Sequence, residues 1–178
     1  MERVDLGVCR GHWFAGDPNK VAVLLPGAFY VPAAPLLWFA RETLQAQGWS
    51  VLDVWDEWDR SVDGHQWVAE RFQAAFEHVG SPPIRLVVAK SLTTLALPTA
   101  IDQGLPGVWL TPLLDEEDLR SALASSKTPT LLVGGTADPT WDSEFVRSVP
   151  DVEFLEVDGA NHTLQEQGNP KRSLEALQ

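Results

Sequence analysis

The stretch Leu86-Val87-Val88-Ala89-Lys90-Ser91-Leu92-Thr93-Thr94 decides how the rest of the chain reads. It opens as a short apolar run with two valines, as expected of a buried strand. Beyond it, Leu92 to Ala100 reads as helix. A strand that turns sharply into a helix with Ser91 at the corner is the geometry that presents a serine as a nucleophile. The turn exposes the hydroxyl at the carboxyl edge of the sheet and aims the first amides of the helix at whatever the serine attacks. The usual pattern is G-x-S-x-G, because the residues flanking the corner must be small. Here those positions hold Ala89 and Thr93, so the pattern is degenerate. A serine after a valine run also serves as a helix N-cap, so the stretch must be weighed with its surroundings. Lys90, beside the serine, is read as pointing to solvent.

Outward from this corner, strands and helices alternate. On the N-terminal side, Val4 to Val8 and His12 to Ala15 form an antiparallel hairpin around Cys9-Arg10-Gly11. Gly16-Asp17-Pro18-Asn19 is a turn cluster, and Val21 to Leu25 is an apolar run suited to a strand buried on both faces. A loop, Pro26-Gly27-Ala28-Phe29-Tyr30, leads to a helix over Pro35 to Gln47 that Gly48 ends. Val51 to Trp55 is a strand, and Asp63 to Val79 is a helix with Trp67, Val68, Phe72, Ala75, Phe76 and Val79 on one face. On the C-terminal side come a strand at Val108 to Leu110, a helix over Asp115 to Ser125 and a strand at Pro129 to Val133. A short helix at Ser143 to Ser148, a strand at Val152 to Val157 and a helix from Pro170 complete the chain. The alternation predicts an α/β fold with a mostly parallel central sheet, helices on both faces and an N-terminal antiparallel hairpin. The 178 residues suit one domain.

Composition narrows the function. A formal net charge of -12 repels phosphate backbones and anionic lipid, so neither nucleic acid nor membrane is expected as a partner. Cys9 is the sole cysteine, which excludes an intrachain disulfide and a cysteine metal cage. No G-x-G-x-x-G or P-loop is present, and no cofactor or metal is expected. The start lacks a charged-then-apolar signal, and no apolar run approaches the roughly 20 residues that cross a bilayer. We therefore read a cytoplasmic protein.

Ligands of parallel sheets sit beyond the carboxyl ends of the strands. Four groups fall at such ends: Gly27-Ala28, Ser91, Asp138 and His162. A serine hydroxyl needs a base to take its proton, and the base needs an orienting acid. Of the four histidines, His12 falls in the hairpin, His65 near a helix start and His78 at a helix end. His162, in a loop of small residues after a strand, is placed to reach the corner. Asp115 and Asp142 are rival acids. Asp115 also reads as the N-cap of an acidic first turn, and Asp142 as a helix start.

The order Ser91, Asp138, His162 resembles that of α/β-hydrolases. Four segments carry the resemblance across nearly the whole chain. They are Val21 to Gly27, Val88 to Thr93, Leu131-Leu132-Val133-Gly134-Gly135-Thr136-Ala137-Asp138 and Asp158-Gly159-Ala160-Asn161-His162-Thr163-Leu164. The chain departs from the family in lacking both elbow glycines and in having Pro26-Gly27 where His-Gly is usual. The resemblance implies a single α/β-hydrolase domain over residues 1–178. With one helix between Thr111 and Pro129, no room is left for a cap or lid. It implies a serine hydrolase that cleaves a small carboxylic ester or thioester through an acyl-enzyme. Ser91 is then the nucleophile, His162 the base and Asp138 its orienting acid. The backbone N–H groups of Ala28 and Leu92 form the oxyanion hole. Acyl transfer on the same triad, or a non-catalytic binding protein with this fold, are the competing readings. Of the tryptophans, Trp67 and Trp109 read as core. Trp55, Trp58 and Trp141, with Phe29, are candidates to line a pocket, and core or rim packing accounts for the three tryptophans equally well.

Overall fold

The computed structural model describes residues 1–175 and contains eight strands and six α-helices. The strands are β1 (Glu2–Asp5), β2 (Arg10–Phe14), β3 (Asp17–Leu25), β4 (Trp49–Trp55), β5 (Ile84–Lys90), β6 (Gly107–Leu110), β7 (Thr130–Gly135) and β8 (Glu153–Val157). The helices are α1 (Pro35–Ala46), α2 (Gly64–Val79), α3 (Leu97–Asp102), α4 (Glu117–Ser125), α5 (Ser143–Ser148) and α6 (Pro170–Glu175). The last three residues of the helix expected from Pro170 lie outside the described residues.

All strands form one sheet in the order β1-β2-β4-β3-β5-β6-β7-β8. β1 and β2 are the expected antiparallel hairpin, and β2 runs antiparallel to β4. From β4 to β8 every pairing is parallel. The strand order reverses at β3, with β4 on one side and β5 on the other. The crevice beyond the carboxyl ends of β3 and β5 is therefore the topological switch point, where open α/β sheets bind ligands.

Side chains alternate across a strand, so an apolar run buried on both faces feeds two layers. Val23, Leu25, Leu52, Val54, Val87, Ala89, Trp109 and Leu132 meet the apolar faces of α2, α3, α4 and α5 in one layer. Ala22, Leu24, Val51, Val88, Leu110 and Val133 meet Leu36, Leu37 and Leu44 of α1 in the other. Trp67 and Trp109 are fully buried, as expected of core. Asp63 caps α2 by accepting from the N–H of Gln66, and Gly80 ends that helix at φ +68°.

Several boundaries differ from those read in the sequence. The hairpin turns at residues 6–9 instead of 9–11, where the Asp5 carboxylate accepts from the Gly7 N–H and Gly7 takes φ +79°. β3 begins at Asp17, with a register irregularity before Val21 where the turn was expected. The stretch after Ser91 is a 3-10 helix, Ser91–Ala96, before α3 begins. Pro98 has no N–H to give the Thr94 carbonyl, and that carbonyl accepts from Leu97 instead. The helix expected from Asp115 begins at Glu117 because a turn closes first, from Glu116 N–H to Leu113 O. Asp115 is exposed and is not the N-cap; that position belongs to Glu116, whose side chain makes no cap bond.

One ion pair lies inside the α1 layer. Asp53 on β4 accepts from the Arg41 guanidinium of α1 at 2.9 Å, and both side chains are buried. The guanidinium also stacks on Phe14, 4.7 Å from the ring centre. Burial pushes the Asp53 carboxyl up to about 6, although the bond from Arg41 pulls the other way. Removing one partner of such a pair leaves an unpaired buried charge and costs about 3–5 kcal/mol, whereas replacing both with apolar groups is nearly neutral. Arg41→Met is accordingly expected to lose about 3–5 kcal/mol in urea unfolding at pH 7, and Arg41→Met with Asp53→Leu to recover most of it. A carboxyl raised in the folded state favours folding at low pH and loses that contribution as pH rises through its folded value. Arg41 pulls this carboxyl down, so its loss raises it further, and the deficit of Arg41→Met should therefore shrink as pH falls toward about 6 and stay constant below that.

Candidate active site

Ser91 follows the last residue of β5 and takes φ +54°, a left-handed conformation that a non-glycine residue adopts at a penalty of about 1–3 kcal/mol. The turn is held by the two threonines that follow. The Thr93 hydroxyl accepts from the Lys90 N–H at 3.2 Å and shares its proton between the carbonyls of Leu25 and Lys90, each at 3.1 Å. That ties the corner to the end of β3. The Thr94 hydroxyl donates to the Ser91 carbonyl at 2.6 Å and accepts from the Leu113 N–H at 3.2 Å. Thr93 stands where the pattern has glycine and fits because its side chain turns inward, wholly buried, and takes up backbone groups.

The Ser91 hydroxyl lies 2.7 Å from Nε2 of His162. His162 Nδ1 lies 2.8 Å from an Asp138 carboxylate oxygen. The other Asp138 oxygen accepts from the Thr140 N–H at 3.0 Å and from its hydroxyl at 2.9 Å. Burial alone would raise the Asp138 carboxyl, but the bonds from His162 and Thr140 outweigh it and hold it below the ordinary carboxylate value. Asp138 is buried, whereas the His162 side chain keeps about 33% exposure. The buried acid is thus ionised and fixed, while the imidazole faces the opening.

The loops bearing Asp138 and His162 follow β7 and β8, neighbouring parallel strands. They touch through main-chain bonds, Thr136 N–H to Val157 O at 3.1 Å and Ala137 N–H to Ala160 O at 3.0 Å. A Cβ on Gly135 would overlap the backbone of Ala160. On the far side, Gly27 folds into a turn with Tyr30, its N–H donating to Tyr30 O at 3.1 Å. A Cβ built on Gly27 would stand 3.5 Å from Ser91 Cβ, so this loop abuts the serine. Among the described residues, the N–H groups of Ala28 and Leu92 donate to no protein acceptor.

The other candidates are dispersed. His12 packs against Trp55 in the hairpin sheet, with ring centres 4.9 Å apart. His65 lies on the first turn of α2, 3.9 Å from Glu116, and His78 on the last turn. Asp142 caps α5 and pairs with Arg120. Trp58 donates to Val62 O, and Trp141 lies buried over Gly134 with its N–H on Glu156. Phe29 is exposed and stacked on Arg60. Three surface cavities of about 790, 910 and 230 Å³ are lined by none of Ser91, Asp138 and His162. The cavity of about 790 Å³ lies between α2 and α3.

Lys90 does not point to solvent. Its side chain is only 1% exposed and donates to the Thr111 hydroxyl and to the His162 carbonyl, each at 3.0 Å. Strand alternation places it in line with Leu86 and Val88, on the α1 face of the sheet. That periodicity was a usable signal. Thr140 carries a local signal too, since a threonine two residues after an aspartate suits a turn closed by the carboxylate.

No family model and no curated protein sequence matches the chain. Solved structures do. An alpha-beta serine hydrolase homologue from Coxiella burnetii superposes with a TM-score of 0.73 at 18% identity, over 99% of this chain and 92% of that one. The chain has the α/β-hydrolase fold. A member of the serine hydrolases without lid from Xanthomonas campestris gives 0.72 at 16% identity, over 99% and 90%. Est1E from Butyrivibrio proteoclasticus, with ferulic acid bound, gives 0.72 at 10% identity, over 99% and 96%. This version of the hydrolase fold closes its elbow with a threonine, which sets a test. Thr93→Val removes the hydroxyl and leaves buried backbone groups without a partner, at about 1–3 kcal/mol. Thr93→Ser keeps the hydroxyl. Urea unfolding should show the loss for valine and a deficit well under half of it for serine.

Proposed function

We propose that the protein is a serine hydrolase that cleaves small carboxylic esters or thioesters through an acyl-enzyme. One observation carries the reading: an unbroken hydrogen-bonded chain from buried Asp138 through His162 to Ser91, at 2.8 and 2.7 Å. In this reading Ser91 Oγ attacks the acyl carbon while His162 Nε2 takes its proton. Asp138 holds the imidazole tautomer and stabilises the cation that forms. The oxyanion accepts from the N–H groups of Leu92 and Ala28, backbone donors that need no rearrangement as charge develops. Collapse of the tetrahedral adduct expels the alcohol or thiol, which takes the proton from His162. Water then repeats the sequence on the acyl-serine. Esterases and serine hydrolases among the structural neighbours support the assignment.

Labelling with a fluorophosphonate and mass mapping of the adduct tests it. The expected adduct is on Ser91, and an unlabelled folded protein would point to a non-catalytic binder instead. Ser91→Ala should lower kcat for p-nitrophenyl acetate by about 10⁶, because the three residues act as a unit. Asp138→Asn should lower it by roughly 10⁴, whereas exposed Asp115→Asn should leave it unchanged.

The span from Thr111 to Pro129 holds only α4 and turns. We read this as a single domain without a cap, with a shallow site open to water. Each buried methylene is worth about 0.8 kcal/mol, so affinity stops growing once an acyl chain leaves the site. Across p-nitrophenyl esters of increasing length, kcat/KM should peak between acetyl and butyryl and fall by octanoyl. No rate jump is expected at the micellar threshold, since no lid has to open. A maximum at long chains would show a cover over the site, with residues 29–34 the first to examine.

A further inference from the structure

Lys90 is an anomaly that the triad reading does not use. Lysine is almost never fully buried unless paired, yet this side chain is 1% exposed and, among the described residues, has no carboxylate partner in ion-pair range. Its ammonium is instead held by three segments. The Thr111 hydroxyl at the end of β6 and the His162 carbonyl each accept from it at 3.0 Å, and the Tyr30 ring of the Gly27 loop lies under it at 4.6 Å. Burial pushes the group down to about 8, only partly offset by the charge of Asp138. Thr111 is itself strained, a β-branched residue at φ +45°, with its N–H on Val133 O and its hydroxyl on Lys90. A buried cation and a strained threonine side by side are two unfavourable features that point to one task.

We propose that Lys90 is a positioning residue that clamps the backbone of the histidine loop to the nucleophile strand and thereby sets the His162 imidazole against Ser91. The proposal rests on the triad reading for its consequence in catalysis. The mechanics are direct. Lys90 and Ser91 are neighbours at the corner, so their separation is fixed by the chain. Fastening His162 O to Lys90 Nζ fixes the base relative to the nucleophile by a second, independent link. The first link is the side-chain bond between His162 and Ser91, which must break and reform as the proton moves. Of these two links, the one through the carbonyl need not break as the proton moves. None of the contacts of Lys90 is to the Ser91 hydroxyl, so it takes no part in proton transfer. Tyr30 brings the Gly27 loop to the same cation, which places both sides of the opening on one anchor.

The test compares wild type with Lys90→Met, which keeps length and loses charge and donors, and Lys90→Gln, which keeps an N–H donor. Displacement of a catalytic group by about 1 Å can cost 10²-fold. Lys90→Met should therefore lose about 10²-fold in kcat for p-nitrophenyl acetate and in the rate of fluorophosphonate labelling, with KM within about twofold. Lys90→Gln should fall between it and wild type. A proton spectrum supplies a readout apart from activity. The low-field resonance of the His162 Nδ1–H bonded to Asp138 should be present in wild type and broadened or lost in folded Lys90→Met. If wild type is inert and unlabelled but the resonance responds, the triad reading fails and the clamp stands. If folded Lys90→Met keeps both kcat and the resonance, the clamp is refuted and the triad reading is untouched. Should Lys90→Met not fold, Lys90→Gln is judged by the same two measurements, and wild-type values in it refute the clamp.

Discussion

Everything at the candidate site depends on the left-handed turn of Ser91. A non-glycine residue at φ +54° does not hold that conformation unaided. Three restraints oppose its relaxation. β5 is paired on both sides, to β3 and β6, which fixes the chain entering the corner. Thr93 bonds across to the end of β3, and Thr94 bonds back to Ser91 itself. The strain is thus distributed over groups that are buried and hydrogen-bonded, and the hydroxyl is left presented toward His162. The threonines do by hydrogen bonding what a glycine does by absence of a side chain. The corner here is tight because it is tied.

Burial of the sheet on both faces confines chemistry to the strand ends. Layers of Val, Leu and Ala admit ionisable groups only where a partner meets them. Asp53 is admitted by Arg41, and Lys90 by Thr111, His162 O and the Tyr30 ring. Both lie in the α1 layer, and they differ in what they join. The first pair links a helix to a strand. The second joins a carbonyl and a hydroxyl on loops that must stay in register with the serine.

The two sides of the opening are built differently. On the β7–β8 side, adjacent parallel strands bring their loops into backbone contact, made possible by the lack of a side chain at Gly135. Asp138 and His162 therefore stand on loops that are hydrogen-bonded to each other. On the β3 side the Gly27 turn lies against Ser91, with exposed Phe29 stacked on Arg60 of the following loop. Asp138 and His162 face a smaller loop whose Phe29 is exposed.

Much of this was written locally in the chain. Apolar runs such as Val21 to Leu25 and Leu86 to Ala89, broken by Gly and Pro, mark the central parallel strands because strands buried on both faces need no polar alternation. Glycines at Gly134-Gly135 and Gly159, each followed by one ionisable residue, mark the loops of Asp138 and His162, since Gly135 lies against the Ala160 backbone and Gly159 turns at φ +72°. Chain order then matches those residues to Ser91. Tertiary structure alone decided the rest. Lys90 looks like a surface residue because a cation after an apolar run usually is one, and its acceptors lie 21 and 72 positions away in the chain. Asp115 loses its capping role to Glu116, where a turn from Leu113 closes before the helix starts, and Pro98 converts the expected helix into a 3-10 turn because a carbonyl must find another N–H. Trp141 is withdrawn from the opening by the space over Gly134, which is visible only once β7 and α5 are packed. Local sequence determines where strands end and which residues stand there. Which of those residues meet, and which buried charge is satisfied, is fixed by partners that only the folded sheet brings within hydrogen-bonding distance.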